Sequence, residues 1–335
     1  MIAWNEAGII ETAIASAKKL AYEVVVVDTG SEDDTVEIAK RLGCTVLEGG
    51  DRMHKANARN QAIKACSGDY IFILDCDEII ESPEKLRQHL LSTDADAVYV
   101  RIQAGNQSWH QMRAWRKGTY WYQYRAHEVP IGNGRAEYTD FVIDHRQPPD
   151  RWSWKKDYTL DRLLLDVEEN PEAARPHYYL GRQYLYLGDT EDAAIHLREY
   201  LELAPGGWDA PHAYIDLAVC EPESRVEWLW KAAQTQPQNR YSWYLLAQEY
   251  HNTNRHEVAT ACLQFALAIQ HEYGYAKTSE SDIHDLLARS LWKQARYHEG
   301  LVHANKALEL CPGDDRLIKN REFFVEKVFI QGTPT

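Results

Sequence analysis

Two carboxylates on alternate residues, Asp75 and Asp77, close the apolar run Tyr70-Ile71-Phe72-Ile73-Leu74. Acids so spaced at a strand end can share one divalent cation, directly or through water. A cation held there bridges the diphosphate of a nucleotide and neutralises the charge that develops on it. Asp-x-Asp by itself is common in solvated loops, and its weight here comes from its surroundings. A second acid, Asp28, ends another apolar run, Val24-Val25-Val26-Val27. Ligands of parallel α/β sheets gather beyond the carboxyl ends of the strands, where both acids stand.

The elements that must position these acids follow from pattern. Tyr22 to Val27 reads as a strand buried on both faces. Ser31 is placed to cap a helix over about Asp33 to Leu42, with Glu32, Asp33 and Asp34 at its positive end. Cys44 to Leu47 is a second strand, Ala56 to Ala65 a second helix, and Tyr70 to Leu74 a third strand. That β-α-β-α-β order implies a mainly parallel, Rossmann-like sheet with right-handed crossovers. From Ala97 to His145, strands over Val98–Ile102, Gln111–Arg116 and Phe141–Asp144 are separated by aromatic and Gly-rich loops. This segment reads as mixed sheet covering the open edge and forming an acceptor wall with Trp109, Trp115, Tyr120, Trp121, Tyr122 and Tyr124.

After Pro148-Pro149 the pattern changes, and from Trp154 onward it is helical and repeats. Leu180-Gly181, Tyr184, Gly188, Ala193 and Pro205 mark one unit. Leu246-Ala247, Tyr250, Asn254, Ala259 and Ala266 mark another, and Leu287-Ala288, Leu291, Ala295, Gly300, Ala307 and Pro312 a third. A degenerate unit, about Gly206 to Pro237, fits between the first two. The spacing resembles the tetratricopeptide repeat, whose period is about 34 residues. Four units closed by a terminal helix from about Asp315 to Phe329 make a short all-α solenoid. The expected domains are therefore 1–150 and 151–335.

At 335 residues the chain can bury two cores. With 51 acidic against 37 basic residues and a net charge of −14, broad phosphate-neutralising binding to nucleic acid or membrane is disfavoured. A local cluster, Arg113, Arg116, Lys117, Arg125 and Arg135, still leaves a basic groove open. The six cysteines are scattered without a Cys-x-x-Cys pair, as in reduced thiols of a cytoplasmic protein. No apolar run approaches the roughly 20 residues of a membrane span, and no signal peptide is expected.

Five motifs stand in order: Asn5-Glu6, Val27-Asp28-Thr29-Gly30-Ser31, Ala58-Arg59-Asn60, Gly68-Asp69-Tyr70-Ile71 and Leu74-Asp75-Cys76-Asp77-Glu78. Together they resemble the family 2 glycosyltransferases of the GT-A fold over about residues 1 to 150. A C-terminal tetratricopeptide array resembles the bacterial branch that includes peptide S-glycosyltransferases. The resemblance implies that Asn5 and Glu6 lie beside the nucleotide base and that Asp28 contacts base or ribose. The alternative for Asp28 is a capping acid in its own turn. Arg59 is implied to pair with phosphate, or else with a neighbouring carboxylate, and Asn60 to lie near it. Asp77 is the implied direct metal ligand, Asp75 an auxiliary ligand or ribose contact, and His145 a third ligand or a strand-end histidine. Glu128, or His127 beside it, is the candidate base that takes the acceptor's proton. Its alternative is an ion pair with Arg125 or Arg135.

The implied activity is inverting transfer of a sugar from a nucleoside diphosphate, uridine-linked by expectation, with Mn2+ or Mg2+. The acceptor stays open between peptide, glycan and modified nucleic acid, and the repeats could serve the acceptor or a homodimer. A catalytically inactive scaffold that recruits a protein partner is the competing reading. A nucleotidyltransferase is disfavoured, because Trp4-Asn5-Glu6-Ala7-Gly8 supplies no Gly-rich, Arg-bearing loop. Two departures from the family pattern stand out: Trp4 where Lys is usual, and Cys76 where Ala is usual.

Overall fold

The computed structural model describes residues 1–146, 155–270 and 278–332. It comprises two compact units, Met1–Pro171 and Glu172–Thr335. The expected break at Pro148-Pro149 and the helix start at Trp154 lie outside the described residues.

The first unit opens with β1 (Ile2–Ala3), α1 (Ile10–Leu20), β2 (Val25–Asp28), α2 (Thr35–Arg41) and β3 (Thr45–Glu48). The three strands form one all-parallel sheet in the order β1-β2-β3. β2 is buried at every position, as its uninterrupted valines require. α1 buries Ile10, Ala13, Ile14, Ala17 and Leu20, the i, i+3, i+4 stripe of an amphipathic helix. Ser31 does not cap α2. Its hydroxyl donates to Asp28 and accepts the Asn5 N–H, so it belongs to the loop after β2 and the helix starts later, at Thr35.

The chain continues through α3 (Lys55–Ala65), β4 (Tyr70–Phe72), β5 (Glu78–Ile80), α4 (Pro83–Ser92), β6 (Ala97–Ala104), β7 (Gln107–Arg116), β8 (Tyr120–Gln123), β9 (Val129–Gly132), β10 (Ala136–His145) and α5 (Lys155–Glu169). A mixed five-stranded sheet runs β4-β7-β6-β10-β5, and β8 pairs with β9. β4 is shorter than expected and its recorded ladder is antiparallel to β7, setting Ile71 opposite the fully buried Trp115. The short β5 runs antiparallel to β10 and pairs Glu78 with His145. That register brings the two ends of the sequence motif set together.

α5, expected to open the repeats, belongs to the first unit. Its Asp166 carboxylate accepts the backbone N–H groups of Arg125 and Ala126, and its Glu169 pairs with Arg125 at 2.6 Å.

The second unit is helical throughout its described residues. α6 (Ala174–Leu187) packs on α7 (Thr190–Leu203), α8 (Ala210–Cys220) on α9 (Arg225–Thr235), α10 (Arg240–Asn252) on α11 (His256–Ala268), and α12 (Glu280–Lys293) on α13 (Tyr297–Leu310). α14 (Asp315–Gly332) closes on α13. The landmarks Leu180, Leu246 and Leu287 are fully buried. A Cβ on Gly181 would stand 2.8 Å from Leu197 Cγ, so this glycine lets α6 and α7 touch.

The turn inside each recognised unit uses one conformation. Gly188, Asn254 and Ala295 occupy equivalent places with φ of 88°, 60° and 57°. Glycine adopts that region without strain, asparagine at small cost, and alanine at roughly 1–2 kcal/mol. Urea denaturation should therefore show Ala295→Gly stabilised by about 0.5–1 kcal/mol, the strain relief exceeding the added unfolded-state entropy. Gly188→Ala, the reverse exchange at the equivalent turn, should be destabilised.

Candidate active site

The Asp75 turn joins β4 to β5. Glu78 N–H reaches Asp75 O at 3.2 Å, and the Glu78 carboxylate accepts the Asp75 N–H at 2.9 Å, so the turn is closed from both ends. Cys76 is buried beneath it, and its thiol donates to the Ile2 carbonyl at 3.3 Å, tying the turn to β1. β1 in turn pairs Ala3 with Asp28. The two strand-end acids thus share one edge through β1.

Around Asp75 lies a buried chain of alternating charge. Arg59, on α3, reaches Asp75 Oδ1 at 2.8 Å and Glu128 Oε1 at 3.1 Å. Arg113, on β7, lies 3.5 Å from Asp75 Oδ2 and also pairs with Glu78. Burial works against the charge on Asp75, yet Arg59 and Arg113 hold its carboxyl well below the usual range. Glu128 behaves likewise: burial opposes ionisation, and Arg59 followed by Lys55 keeps its pKa lowered. Within this charge chain, Nη1 of Arg59 and Nε of Arg113 are buried with no hydrogen-bond partner. Orphaned donors of this kind are costly unless an acceptor arrives.

Asp77 faces a histidine. Its Oδ1 lies 3.7 Å from His145 Nδ1, which is also 3.6 Å from Glu78 Oε1. Burial and the charge of Asp75 raise the Asp77 pKa, against the pull of His145. The Glu78 carboxylate raises that of His145, helped by Asp77 and opposed by burial. Among the described residues, no three His, Cys, Asp or Glu side chains form a ready cation cage. The charge nevertheless suits a cation: the carboxylates of Asp75, Asp77, Glu78 and Glu128 outnumber the cations Arg59, Arg113 and Lys55. Asp77 and His145 supply the oxygen and nitrogen donors that fit one.

Other expected site residues are brought to the same edge with different partners. The Asp28 carboxylate accepts Gly30 N–H at 2.9 Å, Ser31 N–H at 3.0 Å and the Ser31 hydroxyl, which makes it the organiser of its own turn. Asn5, at φ 54°, accepts Glu32 N–H at 2.8 Å, and Glu6 N–H donates to Thr35 at 2.7 Å. Both loops are thereby locked to each other. Arg52 stacks 3.5 Å above Trp4 beside them. Asn60 is used on both sides of its amide by the Tyr122 backbone, at 2.8 and 2.9 Å, so it fixes β8 to α3.

His127 is exposed at φ 51° and Glu128 is nearly buried beside it. Glu128 pairs with Arg59 rather than with Arg125 or Arg135. The basic groove expected from Arg113, Arg116, Lys117, Arg125 and Arg135 is largely neutralised. Glu78 and Asp75 face Arg113, Glu169 faces Arg125, Asp96 lies 3.8 Å from Arg116, and Asp94 3.8 Å from Arg135. The aromatic wall also divides. Trp115, Tyr120 and Tyr122 are core, whereas Trp109 and Trp121 are exposed.

Asp166 goes unnamed in the sequence pattern, whereas Arg113 stands there only in the basic cluster and Glu78 only as the end of the fifth motif. Asp166 caps the loop that carries His127 and Glu128, where Tyr124 (φ 72°) and His127 both adopt a left-handed backbone. The signal for Glu78 was present in the acidic turn itself. Nothing local announces the other two.

Comparison with known proteins adds two assignments. Residues 1–144 match the family model described as Glycosyl transferase family 2, and residues 241–271 match a tetratricopeptide repeat model. A TPR repeat-containing protein of Synechococcus elongatus is 40% identical over 102 residues, 30% of this chain and 25% of that protein. An uncharacterized glycosyltransferase of Rickettsia felis is 40% identical over 78 residues, 23% of this chain and 27% of that protein. The poly-beta-1,6-N-acetyl-D-glucosamine synthase of Staphylococcus aureus is 32% identical over 85 residues, 23% and 21% of the two chains. This chain thus spans about a quarter of the length of these relatives. Among solved structures, YrrB, a TPR protein with an unusual peptide-binding site, is 17% identical with a TM-score of 0.44, covering 52% of this chain and 87% of that one. No helix among the described residues is long and apolar enough to cross a membrane.

Two outcomes follow from the geometry. Hydrogen exchange at the Arg125 and Ala126 amides should accelerate at least tenfold in Asp166→Ala, with β2 unchanged, because the carboxylate that holds them is gone. In metal-free buffer, the stability His145 contributes is complete below its ordinary pKa of 6.5 and is lost as pH rises through its raised folded value. Denaturation midpoints of His145→Gln should therefore depend less on pH across that window than those of the wild type.

Proposed function

From the family 2 glycosyltransferase domain over residues 1–144, we propose that this chain transfers a sugar from a nucleoside diphosphate, uridine-linked, to an acceptor nucleophile with inversion. The observation that carries this reading is the buried charge chain at the end of β4, with an orphaned Arg59 Nη1 beside a net excess of carboxylates. An anion and a cation are both wanted there, and a metal-bound diphosphate is both.

In this reading the loops of Asn5, Glu6 and Asp28 form the rigid seat of the base and ribose, and Arg59 Nη1 takes a phosphate oxygen. Asp77 and His145, with Asp75 as auxiliary, would hold Mn2+ or Mg2+, which when bound would offset charge on the departing diphosphate. Glu128 takes the acceptor's proton as the nucleophile bonds to the anomeric carbon and the bond to the diphosphate oxygen breaks. His127, exposed beside it, is the other candidate for that proton.

Arg59 couples these two halves. While its only acidic partners are Asp75 and Glu128, it lowers the basicity of the Glu128 carboxyl. A phosphate on the same guanidinium offsets its charge and lets the Glu128 pKa rise toward that of a useful base. Donor binding would thus prepare the base.

The acceptor class is a peptide, a glycan or a modified nucleic acid. The neutralised arginines weigh against nucleic acid, and the repeats suit a protein partner or a second copy of the chain. A thermal-shift screen of nucleoside-diphosphate sugars with and without Mn2+ tests the reading. The expected result is a metal-dependent shift by one donor, lost in Asp77→Asn. Glu128→Gln should bind that donor within about threefold of wild type while turnover falls by roughly 10²–10⁴. No shift by any donor would favour the inactive scaffold, and full turnover in Glu128→Gln would pass the base's role to His127.

A further inference from the structure

Histidines recur in the second unit at places the repeat makes equivalent. His177 and His284 each precede a landmark leucine, Leu180 or Leu287, by three residues, and His196 and His303 follow them by nineteen. Each couple meets across its own helix pair. Nδ1 of His284 on α12 lies 2.9 Å from Nδ1 of His303 on α13, with ring centroids 5.1 Å apart and planes at 23°. Nδ1 of His177 on α6 lies 3.1 Å from Nδ1 of His196 on α7, with centroids 5.3 Å apart and planes at 34°. In the α10–α11 unit the equivalent places hold Trp243 and Cys262, so the imidazoles are not a general requirement of the repeat.

Two Nδ1 atoms this close admit at most one proton between them, so at least one lone pair faces the partner ring. Imidazole nitrogens bound cis to one ion, at about 2.0–2.1 Å each, stand about 2.9–3.3 Å apart as the angle at the ion opens from about 90° to about 109°. The observed separations fall at this spacing. The rings face nearly head-on, so each lone pair must swing by about 35–45° for both to meet at one ion, a rotation within the broad χ2 range of histidine.

We infer that each couple is a two-histidine clamp for a borderline transition cation, Zn2+, Ni2+ or Cu2+, which replaces the shared proton and clips the two helices of a unit together. A site of two imidazole nitrogens selects these ions over Mg2+ and Mn2+, which separates the clamps from the site of the first unit, where a single imidazole, His145, stands among carboxylates. Carboxylates one turn earlier add favourable charge on the same helix faces: Glu280 before His284, Glu299 before His303 and Asp192 before His196. Glu280 is shared with Arg240 at 3.3 Å and Glu299 with Arg296 at 2.6 Å, and Lys306 opposes from one turn beyond His303. No third protein ligand completes a cage among the described residues, so water fills the remaining positions.

Calorimetric titration of the full chain with NiCl2, in saturating Mg2+, tests the inference. The expected result is one fewer Ni2+ bound in His303→Asn than in wild type, and two fewer in His196→Asn/His303→Asn. Asparagine keeps an amide able to hydrogen-bond the partner ring, so these variants separate ligation from packing. His284→Gln and His177→Gln give the same counts from the opposite helices if an Asn variant does not fold. Broadening of ring signals by Cu2+ should reach His177, His196, His284 and His303 first. An unchanged Ni2+ count in the double variants, or no Ni2+ uptake by wild type, overturns the proposal.

Discussion

One buried guanidinium organises the first unit. Arg59 is 7% exposed and touches the Asp75 carboxylate in the turn after β4 and the carboxylate of the loop after β8. A charge so buried is tolerable only while its partners stay, and removing either costs several kcal/mol. The partners are equally dependent on it. The rest of the site reads as the support this arrangement needs. Arg113 takes the second oxygen of Asp75 and also Glu78, Asn60 beside Arg59 pins β8, and Asp166 pins the loop that carries Glu128.

The same constraint explains why α5 stays with the first unit although it lies beyond the family match at residue 144. A loop with two non-glycine residues in the left-handed region is strained, and such strain persists only when the surroundings over-determine it. Asp166 and Glu169 provide that from α5. The helix is therefore the brace of the loop that carries His127 and Glu128, and it falls in the first compact unit.

What was legible in the sequence was what neighbouring residues decide. The valine run of β2, the amphipathic stripe of α1, the strand-end acids and the repeat landmarks all depend on spacing within one or two elements. The left-handed turn at Gly188, Asn254 and Ala295 was visible as a shared landmark, though not as a conformation. What escaped depends on register between distant strands. Glu78 meets His145 only because β5 pairs with β10, and Arg113 reaches Asp75 only because β4 pairs with β7. Asn60 and Ser31 carried the right residue types for binding and capping, and tertiary contacts claimed both. Asp28 holds its own turn first, so any ligand contact is made by a side chain already fixed.

In the proposed reaction, Arg59 offers its unused N–H to a metal-bound diphosphate. Calorimetry of UDP binding, with Mn2+ and with chelator, to wild type and Arg59→Lys tests it most directly, because lysine keeps the charge while losing the planar fork. The expected result is binding that requires Mn2+ and weakens at least tenfold in Arg59→Lys, about 1.4 kcal/mol. Equal affinity in chelator, or an unaffected Arg59→Lys, would contradict it.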